Sequence, residues 1–459
     1  MKKKKKSEGF DWSKRKRLSG SEKVRLGLFV VLALAAFFYL ATSTFNNWIK
    51  AGSIIVLLSG SGMIIQRLAR IEGYYGLLIL RGTRGFGAME YFSKHFGKTA
   101  RDLADFGLSL SFGALYSYWL FGRTSKKKFF AHLIALGAFF LILQTGIALQ
   151  FGEIAPAVFL LNMSFGLLAL GTQSLLFQGA RILTSPESAA GVTLIVPGVT
   201  VPWEGIIAII IAAGVHEIAH GILCRVEKLE VKNSGAIFLG VLPIGAFVEP
   251  NEEKMKRIDV HKKRRILVAG TTSNFFLFLI FTLLTQIVAF GLIGMTNHIQ
   301  VVGVAEEGSA FGILEENEVI VAIQGIPVKS SNELVNEVQK FEAGAFVPLT
   351  TNLGEKHVRL MEGKKMGIFL QDAPSPSNAF VFGLLMFVFI VFNLTALINF
   401  ALAVINILPI FLTDGYRMVY EESRIAFPSP GDQKAQRIAV AVGIISVLLL
   451  LINFIPSFR

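Results

Sequence analysis

The stretch from Trp203 to Arg225 constrains this chain more than any other, because it sets ionisable side chains inside an apolar run of membrane-spanning length. Its sequence is WEGIIAIIIAAGVHEIAHGILCR. A bilayer crossing needs about 20 mostly apolar residues. Ionisable groups inside such a run are costly, so His216, Glu217 and His220 predict a functional site within the membrane.

The spacing of the two histidines predicts a metal site. His216 and His220 are four residues apart, so both imidazoles project from one face of a helix and can bind one zinc ion. Glu217 lies beside them and can take a proton from a zinc-bound water. The pattern HExxH is the zinc metalloprotease signature. A chance match within a spanning helix is rare, because such residues are scarce there.

Composition indicates that much of the remaining chain also lies in a membrane. Of the 459 residues, 53% are hydrophobic and 17% are charged, which is typical of a polytopic membrane protein rather than a soluble enzyme. The net charge of +13 fits cytoplasmic loops that face anionic lipid, and no interleaved aromatic and basic pattern points to nucleic acid. Cys224 is the only cysteine, which excludes an intrachain disulfide and a thiolate zinc cluster.

Apolar runs predict about nine membrane spans, with the N-terminus in the cytoplasm and the C-terminus outside. The runs are Val24–Phe45, Ile49–Ile65, Leu103–Leu120, Phe129–Leu149, Ala157–Leu176, Trp203–Arg225, Ile266–Met295, Phe380–Ile410 and Ile438–Phe454. The basic run Lys254–Arg265 marks the cytoplasmic side, so the two histidines lie toward that side. This scheme places Arg123 and Lys126–Lys128 outside, against the usual charge bias. Either Leu103–Leu120 does not fully span, or an early span is misassigned.

These patterns divide the chain into five parts. Residues 1–23 form a basic cytoplasmic arm, and residues 24–202 form an N-terminal transmembrane region. Residues 203–295 hold the HExxH helix, a cytoplasmic β-hairpin with a basic loop, and the following span. Residues 296–374 are soluble in composition and predict a small α/β domain, and residues 375–459 hold a second apolar half with the final span. The predicted fold is therefore a polytopic α-helical membrane protein with an inserted α/β domain.

Two histidines leave the metal one ligand short, because a catalytic zinc typically takes three protein ligands and keeps one position for water. The best candidate is Asp414, which follows a strongly apolar run in the sequence NILPIFLTDG. Pro409 and Gly415 break or bend the helix there and aim the carboxylate inward. The alternative interpretation is an ordinary helix-terminal aspartate at the membrane interface.

HEIAH together with NILPIFLTDG resembles the site-2 protease family of intramembrane zinc metalloproteases, which pairs HExxH on one span with NxxPx4DG on a later one. The matching residues are His216, Glu217, His220, Asn406, Pro409, Asp414 and Gly415. The resemblance implies Zn2+ on His216, His220 and Asp414, with Glu217 as the general base.

Two positions depart from the family pattern. Thr413 stands where a hydrophobic residue usually precedes the DG, and the sequence GTTSN keeps the asparagine but not the proline of a GPxxN-like element. The resemblance makes Asn274 and Asn406 candidates for binding substrate or the oxyanion. For Asn274 the alternative is an amide that satisfies helix contacts in the bilayer.

Two further segments resemble parts of the same family. Gly235–Val248 resembles its membrane-associated β-hairpin, whose open edge can pair with an unwound substrate segment; the alternative is an ordinary hairpin. Residues 299–371 resemble a PDZ domain through the turn GSAF, the strand VIVAIQGIPV and the helix SNELVNEVQ, although Asn317-Glu318 replaces the usual GD. Such a domain binds extended peptide by strand addition, so it is expected to filter or dock substrates; the alternative is a spacer.

The sequence therefore predicts a zinc metalloendopeptidase of the cell membrane that cuts transmembrane or membrane-proximal segments of other membrane proteins. The PDZ-like domain is expected outside the cytoplasm, and no nucleic acid partner is expected. Two other classes stay open. A membrane transporter or metal-ion carrier would suit the many spans and buried His and Asp, but not the glutamate beside the first histidine. A catalytically inactive, protease-like scaffold would bind zinc without hydrolysing peptides.

Overall fold

The computed structural model describes residues 18–83, 85–151, 156–185, 187–193, 195–363 and 365–458. Most of the predicted basic arm, residues 1–17, lies outside the described residues, and the first helix begins at Gly20. The chain divides into two compact units. The larger unit is Met1–Ile280 with Leu394–Arg459, and the smaller is Phe281–Asn393.

The described residues form twelve α-helices and ten β-strands. The helices are α1 (Gly20–Thr42), α2 (Asn47–Ala69), α3 (Phe86–Phe121), α4 (Lys126–Phe151), α5 (Pro156–Thr184), α6 (Gly205–Val226), α7 (Glu252–Arg257), α8 (Val260–Met295), α9 (Ser331–Val338), α10 (Ala379–Ile407), α11 (Asp414–Ala426) and α12 (Gln433–Phe454). The strands are β1 (Glu72–Tyr74), β2 (Leu77–Gly82), β3 (Val231–Leu239), β4 (Leu242–Pro250), β5 (Thr296–Val304), β6 (Val319–Ile323), β7 (Ile326–Pro327), β8 (Phe346–Thr351), β9 (Gly354–Arg359) and β10 (Ile368–Pro374).

Eight of the described helices are long and apolar enough to cross a membrane, namely α1, α2, α4, α5, α6, α8, α10 and α12. The chain is therefore a polytopic helical protein with a β-sheet-containing unit. The predicted span Leu103–Leu120, which lies in α3, is not among the eight.

Helix α3 folds back on itself, which corrects the prediction for Leu103–Leu120. Gly113, inside α3, has φ 81° and ψ −172°, a backbone conformation open essentially to glycine alone. Ser109 Oγ lies 2.9 Å from Ser117 Oγ, although eight residues of straight helix would separate them by about 12 Å. The chain therefore reverses at Gly113, and both ends of the predicted span lie on one side of the larger unit.

Helix α5 reverses in the same manner at Gly166, which has φ 66°, so the predicted span Ala157–Leu176 also folds back although its helix is long and apolar enough to cross. The side chains of Asn162 and Gln173 form a 2.5 Å hydrogen bond, whereas eleven residues of straight helix would rise by about 16 Å. The two bends pack against each other. A Cβ on Gly113 would overlap the Ser164 carbonyl, so this close approach requires glycine.

The reversal of α3 also explains why the predicted topology placed the basic residues 126–128 against the usual charge bias. Asp105, which precedes the bend of α3 at Gly113, accepts hydrogen bonds from Lys128 at 2.7 Å and from Arg265 at 2.6 Å. Lys128 lies near the start of α4, and Arg265 lies near the start of α8. The basic residues 126–128 therefore lie at the same level as the end of the basic run Lys254–Arg265, as the charge bias requires.

A four-stranded antiparallel sheet with the order β1-β2-β3-β4 belongs to the larger unit. Strands β3 and β4 form a hairpin where Gly235–Val248 predicted one, with Ala236 opposite Ala246. Strand β2 pairs along β3 from Leu77 opposite Leu239. The first two strands were not predicted, because residues 24–202 were assigned as a whole to a transmembrane region. Within this sheet β4 is an edge strand.

The smaller unit holds a sheet with the order β10-β5-β6-β8-β9, in which β7 also pairs with β6. Its core includes the fully buried side chains Ile299, Val301, Ile320, Val347 and Leu349. The predicted strand VIVAIQGIPV corresponds to β6 and β7, and the predicted helix SNELVNEVQ corresponds to α9. The predicted turn GSAF lies within a run of turns.

Candidate metal centre and catalytic cavity

Three side chains from α6 and α11 converge on one point. Nε2 of His220 lies 3.2 Å from Nε2 of His216 and 3.1 Å from Oδ2 of Asp414. His216 Nε2 lies 3.4 Å from the same carboxylate oxygen. A tetrahedral zinc ion with bonds of about 2.0–2.1 Å separates its ligand atoms by about 3.3 Å. The spacing and the chemistry of the three donors therefore fit zinc, and Asp414 lies where the sequence predicted the third ligand.

Helix α8 orients both histidines. The backbone carbonyl of Ile266 can only accept, so Nδ1 of His220 donates to it at 2.7 Å and leaves Nε2 free as a ligand. Gly270 lies directly against the His216 ring, and a Cβ at that position would overlap the ring. The glycine of GTTSN therefore permits the close approach of α8 to the metal-binding face of α6. No periodicity in the sequence signals this contact.

The turn between α10 and α11 places Asp414. Helix α10 ends at Ile407, ahead of Pro409, and Asp414 is the first residue of α11. Thr413 caps α11 by accepting a hydrogen bond from the Tyr416 N–H at 3.3 Å, and its hydroxyl donates to backbone carbonyls of the turn. A Cβ at Gly415 would overlap the carbonyl of Ile407. The departure from the family pattern at Thr413 therefore has a local structural role.

Glu217 and Asn406 line one cavity of about 220 Å³ together with His216, His220 and Asp414. Oε2 of Glu217 accepts a hydrogen bond from the backbone N–H of Val248 at 2.9 Å. Val248 belongs to β4, the edge strand of the four-stranded sheet, and also lines the cavity. The sheet therefore holds the carboxylate that lies beside the metal ligands. Sequence reasoning missed this contact, because a backbone N–H carries no residue-type signal.

Asn274 is the one predicted site residue that does not line this cavity. It lies on α8 four residues after Gly270, its side chain is fully buried, and neither atom of its amide has a hydrogen-bond partner among the described residues. The structure thus brings five of the six predicted site residues, all except Asn274, to one cavity.

Buried ion pairs join α11 to the start of α8. Arg264 donates two hydrogen bonds to the carboxylate of Glu422, at 2.6 and 2.7 Å. Lys263 pairs with Glu421 at 3.0 Å, and the Tyr116 hydroxyl donates to Glu422 at 2.8 Å. Lys263 and Arg264 are both buried. This part of the basic run therefore holds α11, the helix of Asp414, in place. Its basic composition is thus a structural feature as well as an indicator of topology.

A second ionic cluster surrounds Asp105 in α3. Burial raises the pKa of its carboxyl, but hydrogen bonds from His261, Arg265 and Lys128 outweigh burial and hold that pKa well below its usual range. Arg265 also pairs with Glu227, just after the end of α6, at 3.4 Å. The cluster therefore connects α3, α4 and α8 to the residue that follows α6.

Comparisons with known proteins agree with this arrangement. The sequence profile of peptidase family M50 matches residues 204–450, which is more than half of the chain. The matched range includes α6, with its two histidines, and α11, with Asp414. An uncharacterized protein from Methanocaldococcus jannaschii is 30% identical over 276 residues, which is 59% of this chain and 69% of that protein.

Proposed function

Because the chain belongs to peptidase family M50, the site-2 protease family, we propose that it is an intramembrane zinc endopeptidase that cuts transmembrane or membrane-proximal segments of other membrane proteins. The family match confirms the resemblance predicted from HExxH and NxxPx4DG, and it makes the chain a membrane metallopeptidase. The observation that carries the finer proposal is one cavity that holds His216, His220 and Asp414 with Glu217 beside them.

The residues of the cavity have distinct roles in this proposal. His216, His220 and Asp414 would hold the zinc ion, which when bound supplies Lewis-acid chemistry that polarises the scissile carbonyl and promotes ionisation of water. Glu217 takes the proton from the attacking water and returns it to the leaving amine. The Val248 N–H bonds to Oε2 of Glu217, which leaves Oε1 for the water.

Substrate presentation involves the edge of β4. The peptide bonds of a helical substrate are held in backbone hydrogen bonds, so the segment must unwind before it can be cut. An edge strand can pair with such an extended segment. Support comes from Phe247 and Val248, which belong to β4 and line the cavity that contains Glu217.

We place the four-stranded sheet and the basic run on the cytoplasmic side of the cell membrane, with the N-terminus on the same side. Residues 126–128 lie at the same level as the end of the basic run Lys254–Arg265. This supports the placement, because basic residues favour the cytoplasmic side. Residues 296–374 follow the far end of α8, so their proposed location is extracytoplasmic.

Residues 296–374 act as a PDZ-like substrate-docking domain in this proposal. Support comes from the sheet order and from α9, whose Ser331 side chain bonds to Asp372 at 2.6 Å at the end of β10. Deleting residues 299–372 should change which substrates are cut. An unchanged substrate range would favour a spacer.

The test uses purified protein, a panel of membrane-helix substrates and mass mapping of the cut, with and without chelator. Glu217→Gln should keep zinc and lose about 10²–10⁴-fold in cleavage rate, because general acid–base catalysis contributes that much. His216→Ala should lose both zinc and cleavage. Retained proteolysis in Glu217→Gln would refute the mechanism. Wild-type protein that holds zinc but cuts no substrate would favour the inactive scaffold.

A further inference from the structure

A basic groove of about 680 Å³ runs between the first half of α3 and the end of α6. It shares no lining residue with the catalytic cavity. Its walls carry five cationic side chains, Lys94, Lys98, Arg101, Arg225 and Lys228. Glu90 and Glu230 are the acids among its lining residues, so the cations outnumber them. The groove therefore favours an anionic occupant.

Two of the cations have no acidic partner among the described residues. Glu90 pairs with Lys94 and Arg225, at 3.0 and 2.8 Å. Arg101 pairs with Glu227, just outside the groove, at 3.0 Å. Lys98 and Lys228, in contrast, form no ion pair with any residue that the structure describes, and both are exposed. Their two ammonium groups are free to bind a phosphate as point charges.

The position of the groove indicates where the anion comes from. Val226, the last residue of the spanning helix α6, lies in the groove wall, and Lys228 lies two residues further along the chain. The end of a spanning helix lies at the level of the lipid headgroups. Phe92 and Phe96, four residues apart on α3, are exposed on a face separate from Lys94 and Lys98, and exposed aromatic side chains are typical of the membrane interface.

We propose that this groove binds the phosphate of an anionic lipid headgroup, with Lys98 and Lys228 as its principal contacts. Basic pockets beside spanning helices on the cytoplasmic side are suited to such headgroups. A zwitterionic headgroup also carries a phosphate, but its ammonium group would face the same cations and weaken the interaction. The groove should therefore discriminate by net headgroup charge.

The experiment titrates the purified full-length protein in detergent with phosphatidylglycerol, with phosphatidylcholine and with glycerol 3-phosphate, and counts bound molecules by native mass spectrometry. The wild type should bind the first phosphatidylglycerol more tightly than the first phosphatidylcholine. The double variant Lys98→Gln/Lys228→Gln should lose about tenfold or more in affinity for phosphatidylglycerol. The matched control, Lys329→Gln/Lys365→Gln in the smaller unit, removes the same charge from exposed positions and should bind as the wild type does.

Three results would overturn the proposal. The first is that the wild type binds the two lipids equally. The second is that the glutamine double variant keeps its affinity for phosphatidylglycerol. The third is that equimolar glycerol 3-phosphate displaces the lipid, which would assign the groove to a free phosphate. The variant Lys98→Arg/Lys228→Arg keeps both charges and should retain the lipid preference. Loss of the preference in that variant would also contradict a site based on charge. No measurement here depends on proteolysis, so the outcome is separable from the proposed function.

Discussion

The substitution Gly270→Ala tests the metal centre without changing a ligand. A Cβ at Gly270 would lie 2.5 Å from Nδ1 of His216 and still closer to two other ring atoms. Nonbonded heavy atoms are normally about 3.5 Å apart, so α8 or the imidazole must move by roughly 1 Å. Metal-ligand distances tolerate about 0.2 Å. A displacement of that size takes His216 Nε2 out of bonding range.

We expect Gly270→Ala to weaken zinc binding by about 100-fold, because losing a group that merely orients a ligand already costs about 10–100-fold. That change corresponds to about 2.8 kcal/mol. The assay is competition for zinc between the purified protein and a chromogenic chelator, with the melting temperature measured on the same samples.

Gly214→Ala is the matched control. It makes the same substitution two residues before His216, and its Cβ would meet nothing within 4 Å. The control should bind zinc as the wild type does. Wild-type zinc affinity in Gly270→Ala would refute the reasoning. An equal loss in both variants would show that general helix packing, not contact with His216, controls the affinity.

Three further predictions concern contacts around the site. Val248→Pro removes the N–H that bonds Glu217, so kcat should fall about tenfold with the zinc content unchanged; an unchanged kcat would show that the contact is dispensable. Glu422→Gln leaves the buried Arg264 without its carboxylate partner, so the free energy of unfolding should fall by about 1–2 kcal/mol. This is less than the loss expected for a fully buried ion pair, because Glu422 is partly exposed. Thermal unfolding measures the change. The pKa of Asp105 is lowered on folding, so its ion pairs stabilise the fold above about pH 4 and are lost as the pH falls further. The melting temperature of Asp105→Asn should therefore lie below that of the wild type at pH 7, and the difference should shrink in acid; a constant difference would contradict this assignment.

Local patterns predicted helix α6 of the candidate metal centre and the pair of histidines on it, because each signal is contained in one segment. The apolar run of α6 and the four-residue spacing of His216 and His220 specify a helix with both imidazoles on one face. Asp414 lies 194 residues after His220, so its assignment needed a count of missing ligands and a family resemblance. The hairpin of β3 and β4 was also predictable, because its two strands are neighbours in sequence.

Pairings between distant segments were not predictable in this way. The apolar composition of Leu103–Leu120 predicted a span, yet Leu108 and Leu110 are buried within the protein rather than exposed to lipid. An apolar composition indicates only that the side chains avoid water. Contact with lipid and burial in the protein interior both remove them from water equally well. The reversal at Gly113 depends on its contact with the bend in α5, and that contact leaves no periodic signal in either segment.

The sequence by itself determined the membrane class, the helix that carries the two histidines, and the residue types of the candidate metal centre. These properties follow from residue type and spacing within single segments. Only the tertiary structure decided that α3 folds back, that Gly270 supports His216, and that the edge of β4 holds Glu217. Each of these depends on packing between segments far apart in the chain, and the energy of such contacts depends on shape and backbone position as much as on residue type.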